Sequence, residues 1–221
     1  MGRLQKIITS LHTSTNRNYI SRMNDEKINC MIKANKFDYE YWDGNRRYGY
    51  GGYKYIPGRW RLAADKLIRT YKLKSNSKVL DVGCGKGFLL KEIKNLIPDI
   101  EIAGFDISKY AIRKSHPDVK KFIFCHDAKK KIPFKKNYFD LVISINTLHN
   151  LSLYDLSFSL KELQRVSRQK YLAVESFRNE KELFNLQCWA LTCKSFFTPS
   201  EWKWIFKKNN YRGDFEFIYF S

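Results

Sequence analysis

VLDVGCGKGFLL, residues 79–90, decides how this chain folds. An apolar strand runs into Asp81. Three glycines follow at alternating positions, Gly83, Gly85 and Gly87, and an apolar helix begins at Phe88. Glycine lets the backbone turn sharply and approach a ligand without a Cβ in the way. The helix that follows offers unpaired N–H groups at its start. The spacing G-x-G-x-G departs from the dinucleotide fingerprint G-x-G-x-x-G, and no G-x-x-x-x-G-K-[ST] phosphate loop is present.

Outward from this turn, short apolar runs alternate with helical patterns. Strands are expected at 78–82, 101–106, 121–126, 139–145, 170–176 and 215–220. Helices are expected near 86–97, 108–115, 154–167, 179–191 and 199–209. VLDV and LVISI are continuously apolar, as parallel strands covered on both faces are. The pattern predicts an α/β fold with a doubly wound, mostly parallel sheet. RWRLAADKLIRTYKL precedes it as an amphipathic helix with Leu62, Ala63, Leu67, Ile68 and Tyr71 on its apolar side. Residues 59–221 therefore read as the main domain. Residues 1–58 read as an N-terminal helical and aromatic extension, weakly helical from Tyr19 to Lys36, whose first part is expected to be a mobile or partner-packed arm.

Ligands of such sheets sit outside the carboxyl ends of the strands. The second strand ends in Asp106, which can accept from both hydroxyls of a ribose. The third ends in Cys125-His126-Asp127-Ala128, where a carboxylate can accept from an adenine amino group. The fourth ends in Asn146-Thr147-Leu148-His149-Asn150. Over about residues 60–220, DVGCGKG, Asp106, HDA and FDLVISINTLHNL resemble a class I S-adenosylmethionine (SAM)-dependent methyltransferase of Rossmann-like fold. That resemblance implies SAM as cofactor and S-adenosylhomocysteine as product. It places Gly83, Cys84, Gly85 and Gly87 in the methionine-side loop and Asp81 near the cofactor's amino group. Asp106 and Ile107 fall at the ribose, Asp127 and Ala128 at the adenine, and Asn146 against the amino-acid end. Local roles remain open beside these: Asp81 can cap the loop, Asp106 can cap the next helix with Ser108, and Asp127 can hold a turn. Cys84 reads as a small filler of the turn rather than a nucleophile. The family usually closes with two antiparallel strands, whereas only one terminal strand is clear here. Either SFFT at 195–198 does strand duty or the sheet is one strand short.

Methyl transfer needs an acceptor held in line and, for some acceptors, a base. His149 is the first candidate base and Glu175, at the end of the fifth strand, the second; His126 reads as structural. Enzymes that methylate exocyclic base amines usually carry [DNS]-P-P-[YFW] after strand four. This chain has INTLH there, and no cysteine pair of a C5-cytosine methylase.

YWDGNRRYGYGGYKYIPGRW, residues 41–60, holds seven aromatic and four cationic side chains among five glycines. By resemblance, N-terminal additions to this family fold over the acceptor site. Trp42, Tyr48, Tyr50, Tyr53 and Trp60 are then candidate pocket walls. Arg46, Arg47 and Arg59 are candidate grips for a phosphate or carboxylate. The competing reading is a structural clasp on the sheet. This stretch, with LQCWALTCKSFFTPSEW and GDFEFIYF, is similar to a bacterial subgroup near surface-polysaccharide genes whose acceptor is unsettled.

Lys+Arg 41 against Asp+Glu 22 gives a formal +19, which suits an anionic partner. Many lysines fall in loops and on solvated helix faces, so nucleic acid is possible but not favoured. Five scattered cysteines, with no CxxC, make neither a disulfide framework nor a metal site and suggest a reducing compartment. No apolar run has the length of a membrane span. The basic, Ser/Thr-rich start weakly resembles a transit segment. It lacks the apolar core of a secretory signal, and Lys6 breaks the myristoylation pattern. A cytoplasmic enzyme is expected. Its acceptor would be a small polar, anionic molecule of the nucleotide- or phosphate-linked sugar type, methylated on O or N. The alternatives are an RNA or protein methyltransferase, suggested by the charge, and a non-catalytic SAM- or partner-binding module. No feature of the sequence sets an oligomeric state.

Overall fold

The computed structural model describes residues 2–13 and 16–221. Six strands form one sheet: β1 (Lys78–Val82), β2 (Glu101–Asp106), β3 (Ile123–Cys125), β4 (Phe139–Ile145), β5 (Ser167–Glu175) and β6 (Asp214–Ile218). Their order is β3-β2-β1-β4-β5-β6, and every pairing is parallel. The winding reverses between β1 and β4. There the loops after the two strands diverge and leave a crevice at their carboxyl ends.

Both faces of the sheet are buried. Val79, Ile143, Tyr171 and Ala173 point to one side and meet Leu67, Leu89, Ile93 and Leu186 from helices 61–71, 88–96 and 180–189. Leu80, Val82, Val142, Leu172 and Val174 point to the other. They meet Leu156, Leu160, Trp202 and Phe206 from helices 153–166 and 199–208. Helix 199–208 starts with a full capping box, Thr198 with Glu201, and Pro199 in its first turn. In helix 61–71 the buried face is Ala63, Ala64, Leu67 and Tyr71, whereas Leu62 is exposed.

The closing edge differs from the family pattern. β6 runs parallel to β5, and residues 193–198, including SFFT, form no strand. The sheet is one strand short, and the arm covers the open edge. Phe215 N–H donates to the Arg3 carbonyl (3.0 Å) and Gln5 N–H to the Phe215 carbonyl (2.8 Å), as a short parallel bridge at Leu4. The buried Glu216 carboxylate then accepts the N–H groups of Ile7, Ile8 and Thr9 at 2.5, 3.1 and 2.7 Å, and the Tyr171 hydroxyl at 2.5 Å. Charge-assisted bonds of this kind are among the stronger ones. Residues 3–9 of the arm, expected to be mobile or partner-packed, are thus docked on their own sheet. An edge strand left bare would expose unpaired backbone groups.

Candidate active site

The crevice opens into a cavity of about 740 Å³. Its floor is the turn after β1. Gly83 sits at φ +80°, where a Cβ would lie 2.0 Å from the Thr147 hydroxyl. Only glycine permits that approach. Asp81 is buried at this floor. Desolvation, and then the charge of Asp106, pushes its carboxyl up to about 7. In the same cavity lining Asn146, in left-handed backbone (φ +53°), holds a buried Oδ1 with no hydrogen-bond partner. An orphaned acceptor and a desolvated carboxylate on one wall suit an ammonium or other cationic group.

Asp106 accepts Gly85 N–H at 2.9 Å and Ser108 N–H at 2.8 Å. It ties the glycine loop to the end of β2. Burial raises its pKa, and those two bonds oppose the rise. Ser108 itself caps the next helix, and Asp106 supports that cap by accepting the Ser108 N–H. Burial pushes the Cys84 thiol well up, which fits a filler and not a nucleophile. Gly87 packs under Val119, in keeping with helix–strand contact rather than ligand contact. The cavity wall includes Asp81, Gly83, Cys84, Gly85 and Asn146 but not Gly87, Asp106, Ile107, Asp127 or Ala128. The Trp42 ring stands over Gly85, and its Nε1–H reaches Ser108 Oγ at 2.9 Å, between the cavity and the β2 end. Ile107 is exposed, Asp127 accepts Lys129 N–H (2.9 Å) in a turn, and the Ala128 carbonyl accepts from Ser159 (2.7 Å).

The aromatic-glycine stretch roofs the cavity. Trp42, Tyr50, Tyr53 and Phe88 stack in sequence, with ring centroids 5.2, 4.5 and 4.9 Å apart. The stretch is bolted down by Lys86, the buried lysine inside the glycine turn. Its Nζ reaches both Asp43 oxygens (2.6 and 2.8 Å) and the Tyr53 carbonyl (2.7 Å). Tyr110 also donates to Asp43 (2.8 Å). Burial works to raise the Asp43 carboxyl, but the bonds from Lys86 and Tyr110 outweigh it and hold it low. Lid and clasp are therefore one object: the same rings wall the cavity and pack on helix 88–96.

Of the proposed grips, Arg46, Arg59, Tyr50, Tyr53, Trp42 and Trp60 line the cavity. Arg47 and Tyr48 do not. Arg47 pairs with Asp25 (2.6 Å) and Glu26 (2.7 Å) on the outside, and Tyr48 packs on the cluster of Cys30, Ala34 and Leu191. Two arginines from the arm, Arg17 and Arg22, take part instead. With Arg46 they converge on the Trp189 ring, at 5.3, 5.2 and 5.2 Å from its centroid. Burial pulls all three guanidinium pKa values down, and the charge of Arg46 adds to this at Arg17 and Arg22. A spaced Arg-x₄-Arg in a polar arm gives no local cue to a shared target, so the sequence did not single them out.

His149 is 3 % exposed, and burial pulls it down to about 3. Its Nδ1 accepts Glu175 N–H (3.3 Å), which places the proton on Nε2, 3.4 Å from the Glu175 carboxylate. The ring has no lone pair left for a substrate. Burial lifts Glu175 to about 7, with Arg17 opposing. Both candidate bases thus line one cavity, His149 Nε2 lying beside the Glu175 carboxylate. Among the described residues no group of three His, Cys, Asp or Glu could hold a metal ion.

A parallel sheet with a glycine turn at its switch point and a cation-seeking wall beside it defines a Rossmann-like enzyme for a nucleoside cofactor. A family profile described as a methyltransferase domain matches residues 73–210, and the chain belongs to that family. It is 35% identical over 92 residues to a malonyl-[acyl-carrier protein] O-methyltransferase of Legionella pneumophila (40% of this chain, 32% of that one). It is 24% identical over 128 residues to the putative methyltransferase YrhH of Bacillus subtilis (55% and 70%). The chain spans about a third of the length of the malonyl-[acyl-carrier protein] relatives it matches. YcgJ of Bacillus subtilis shares the fold, with TM-score 0.51, 20% identity and 66% of each chain covered. Residues 73–210 are thus a methyltransferase domain of the class I, SAM-dependent type. Among the described residues no helix is long and apolar enough to cross a membrane.

Proposed function

We propose that this methyltransferase acts on an O or N atom of a small anionic acceptor seated beneath the aromatic roof. One observation carries the reading: Glu175 and the arginines around Trp189 share a single cavity with Asp81 and Asn146. When bound, SAM supplies an electrophilic methyl group on a positively charged sulfur. Asp81 and the orphaned Asn146 Oδ1 would hold its ammonium. Arg59, in the lining of the same cavity, would meet the cofactor's carboxylate. The ends of β2 and β3, with Asp106, Ile107, Asp127 and Ala128, would take the ribose and adenine. The roof of Trp42, Tyr50 and Tyr53 excludes water, and Trp60 completes the wall.

At the acceptor, the Glu175 carboxylate removes the proton from the attacking O–H or N–H. A base with pKa near the working pH suits that task. His149 Nε2–H fixes the carboxylate's direction. The Legionella relative's name points to oxygen as one acceptor atom in the family. Incubation with labelled SAM and a panel of sugar phosphates, nucleotides, carboxylates, RNA and protein tests the reading. Label in a small anion is expected. Label only in RNA or protein would replace it with the macromolecular alternative.

A further inference from the structure

We infer that the arginine cup around Trp189 recognises a phosphate monoester on the acceptor, with the methylated atom directed at Glu175. This rests on the acceptor reading above and narrows it from an anion to a dianion.

The cavity holds more positive than negative charge. Asp81 stands on the side of the glycine turn and is matched there by a cationic cofactor group. Arg17 stands within electrostatic reach of Glu175, and the two offset each other. Lys54 and Arg59 also line the cavity, and Arg59 is set against the cofactor's carboxylate; at the Trp189 ring Arg22 and Arg46 remain. Neither forms an ion pair among the described residues, whereas the neighbouring Arg47 takes two carboxylates. Arg22 instead donates one guanidinium N–H to the Arg46 carbonyl (2.8 Å), and its buried Nε has no partner. Arg46 donates to the Gly49 carbonyl. Two guanidiniums held against one ring, that of Arg22 partly buried, repel each other at a cost that a bound anion offsets. A carboxylate neutralises one of them. A phosphate monoester carries about −1.5 to −2 near neutral pH and offers three acceptor oxygens to planar forks. Trp189 gives the forks a rigid apolar backing, which holds them open for a ligand.

The test uses the full chain with S-adenosylhomocysteine present. Binding of glucose 6-phosphate, uridine monophosphate and glucuronate is followed by calorimetry. Phosphates are expected to bind at least about tenfold tighter than the monocarboxylate. Arg22→Met and Arg46→Met should each lower phosphate affinity about tenfold while leaving SAM affinity within about twofold. Arg22→Lys and Arg46→Lys keep the charge and lose the fork, and each should fall between. Retained SAM affinity shows that each variant is folded. Equal binding of glucuronate overturns the inference. So does a matching loss of SAM affinity in the Met variants, which would give the cup to the cofactor. Methylation of an unphosphorylated small anion would overturn it too while leaving the proposed function standing. Label found only in RNA or protein would instead defeat the proposed function.

Discussion

The two halves of the cavity are built by different means. The proposed cofactor half is made from backbone: a glycine turn at the sheet's switch point, with Asp106 tying its Gly85 N–H to the Ser108 N–H after β2. The acceptor half is made from side chains drawn from the arm, the roof and the segment after residue 189. Backbone geometry leaves a signature in glycine and aspartate spacing. A side-chain cup leaves none, because its members meet only after the chain has folded. On the proposed reading, the second half is where acceptor choice can change without disturbing the sheet.

Five experiments can break or sharpen that contrast. Glu175→Gln should reduce turnover by about 10²–10⁴-fold at unchanged SAM affinity, the usual range for loss of a general base. Single-turnover methyl transfer would measure it, and a parallel loss of SAM binding would place Glu175 in the cofactor half. Lys86→Met strands Asp43 and should lower unfolding stability by about 3–5 kcal/mol in denaturant titration. Asp43→Asn in the same chain should restore part of this. Asp106→Ala should weaken SAM binding by about 1.5–3 kcal/mol, since charge-assisted bonds disappear. Calorimetry with an unchanged constant would remove Asp106 from the ribose.

The fourth experiment concerns pH. Asp81 has a folded pKa of about 7, and a cationic cofactor group beside it favours its charged form. Below pH 7 binding must expel a proton, so SAM affinity should fall as pH drops from 7, by up to about tenfold per unit. Asp81→Asn should abolish that slope. For the empty protein, Asp81 and Glu175 have raised pKa values, so their stabilising effect is lost as pH rises through about 7. His149 and His12, lowered to about 3 and 4, contribute in the opposite sense, gaining as pH rises toward 6.5. From about pH 4.5 to 6.5 the two pairs oppose, and a nearly flat melting profile is expected there. The smallest effect belongs to Arg47→Ala. Its exposed pairs with Asp25 and Glu26 are screened by solvent, so denaturant titration should show nearly unchanged stability, and turnover should not change.

The sequence disclosed most where the cause is local. β1, β2 and β4 match the expected bounds because continuous apolar runs end at sharp polar or glycine breaks. β3 is shorter than read, three residues at a sheet edge where pairing on one side ends the strand early. The direction of β6 has no local cue, since its partner is chosen by the whole sheet. The Arg46–Arg47 pair shows the same limit at the site. Residues 46–48 form one 3-10 turn, in which successive side chains point about 120° apart. One arginine lines the cavity and the next pairs with Asp25 and Glu26, and no composition argument separates them. Lys86 was visible as the polar residue of a glycine turn. Its bond to Asp43 spans 43 positions and is decided by the roof.

The pairing of Arg3 and Gln5 with Phe215 also has a consequence in time. On the ribosome residues 3–9 are made early, while β6 emerges some two hundred residues later. Until then Ile7 and Ile8 lack the Glu216 carboxylate that fixes them, and the edge of β5 lies bare. The arm that helps wall the acceptor cavity therefore cannot settle until almost all of the described chain has been synthesised. A nascent chain stalled before residue 214 would have its glycine turn in place and no finished room for an acceptor.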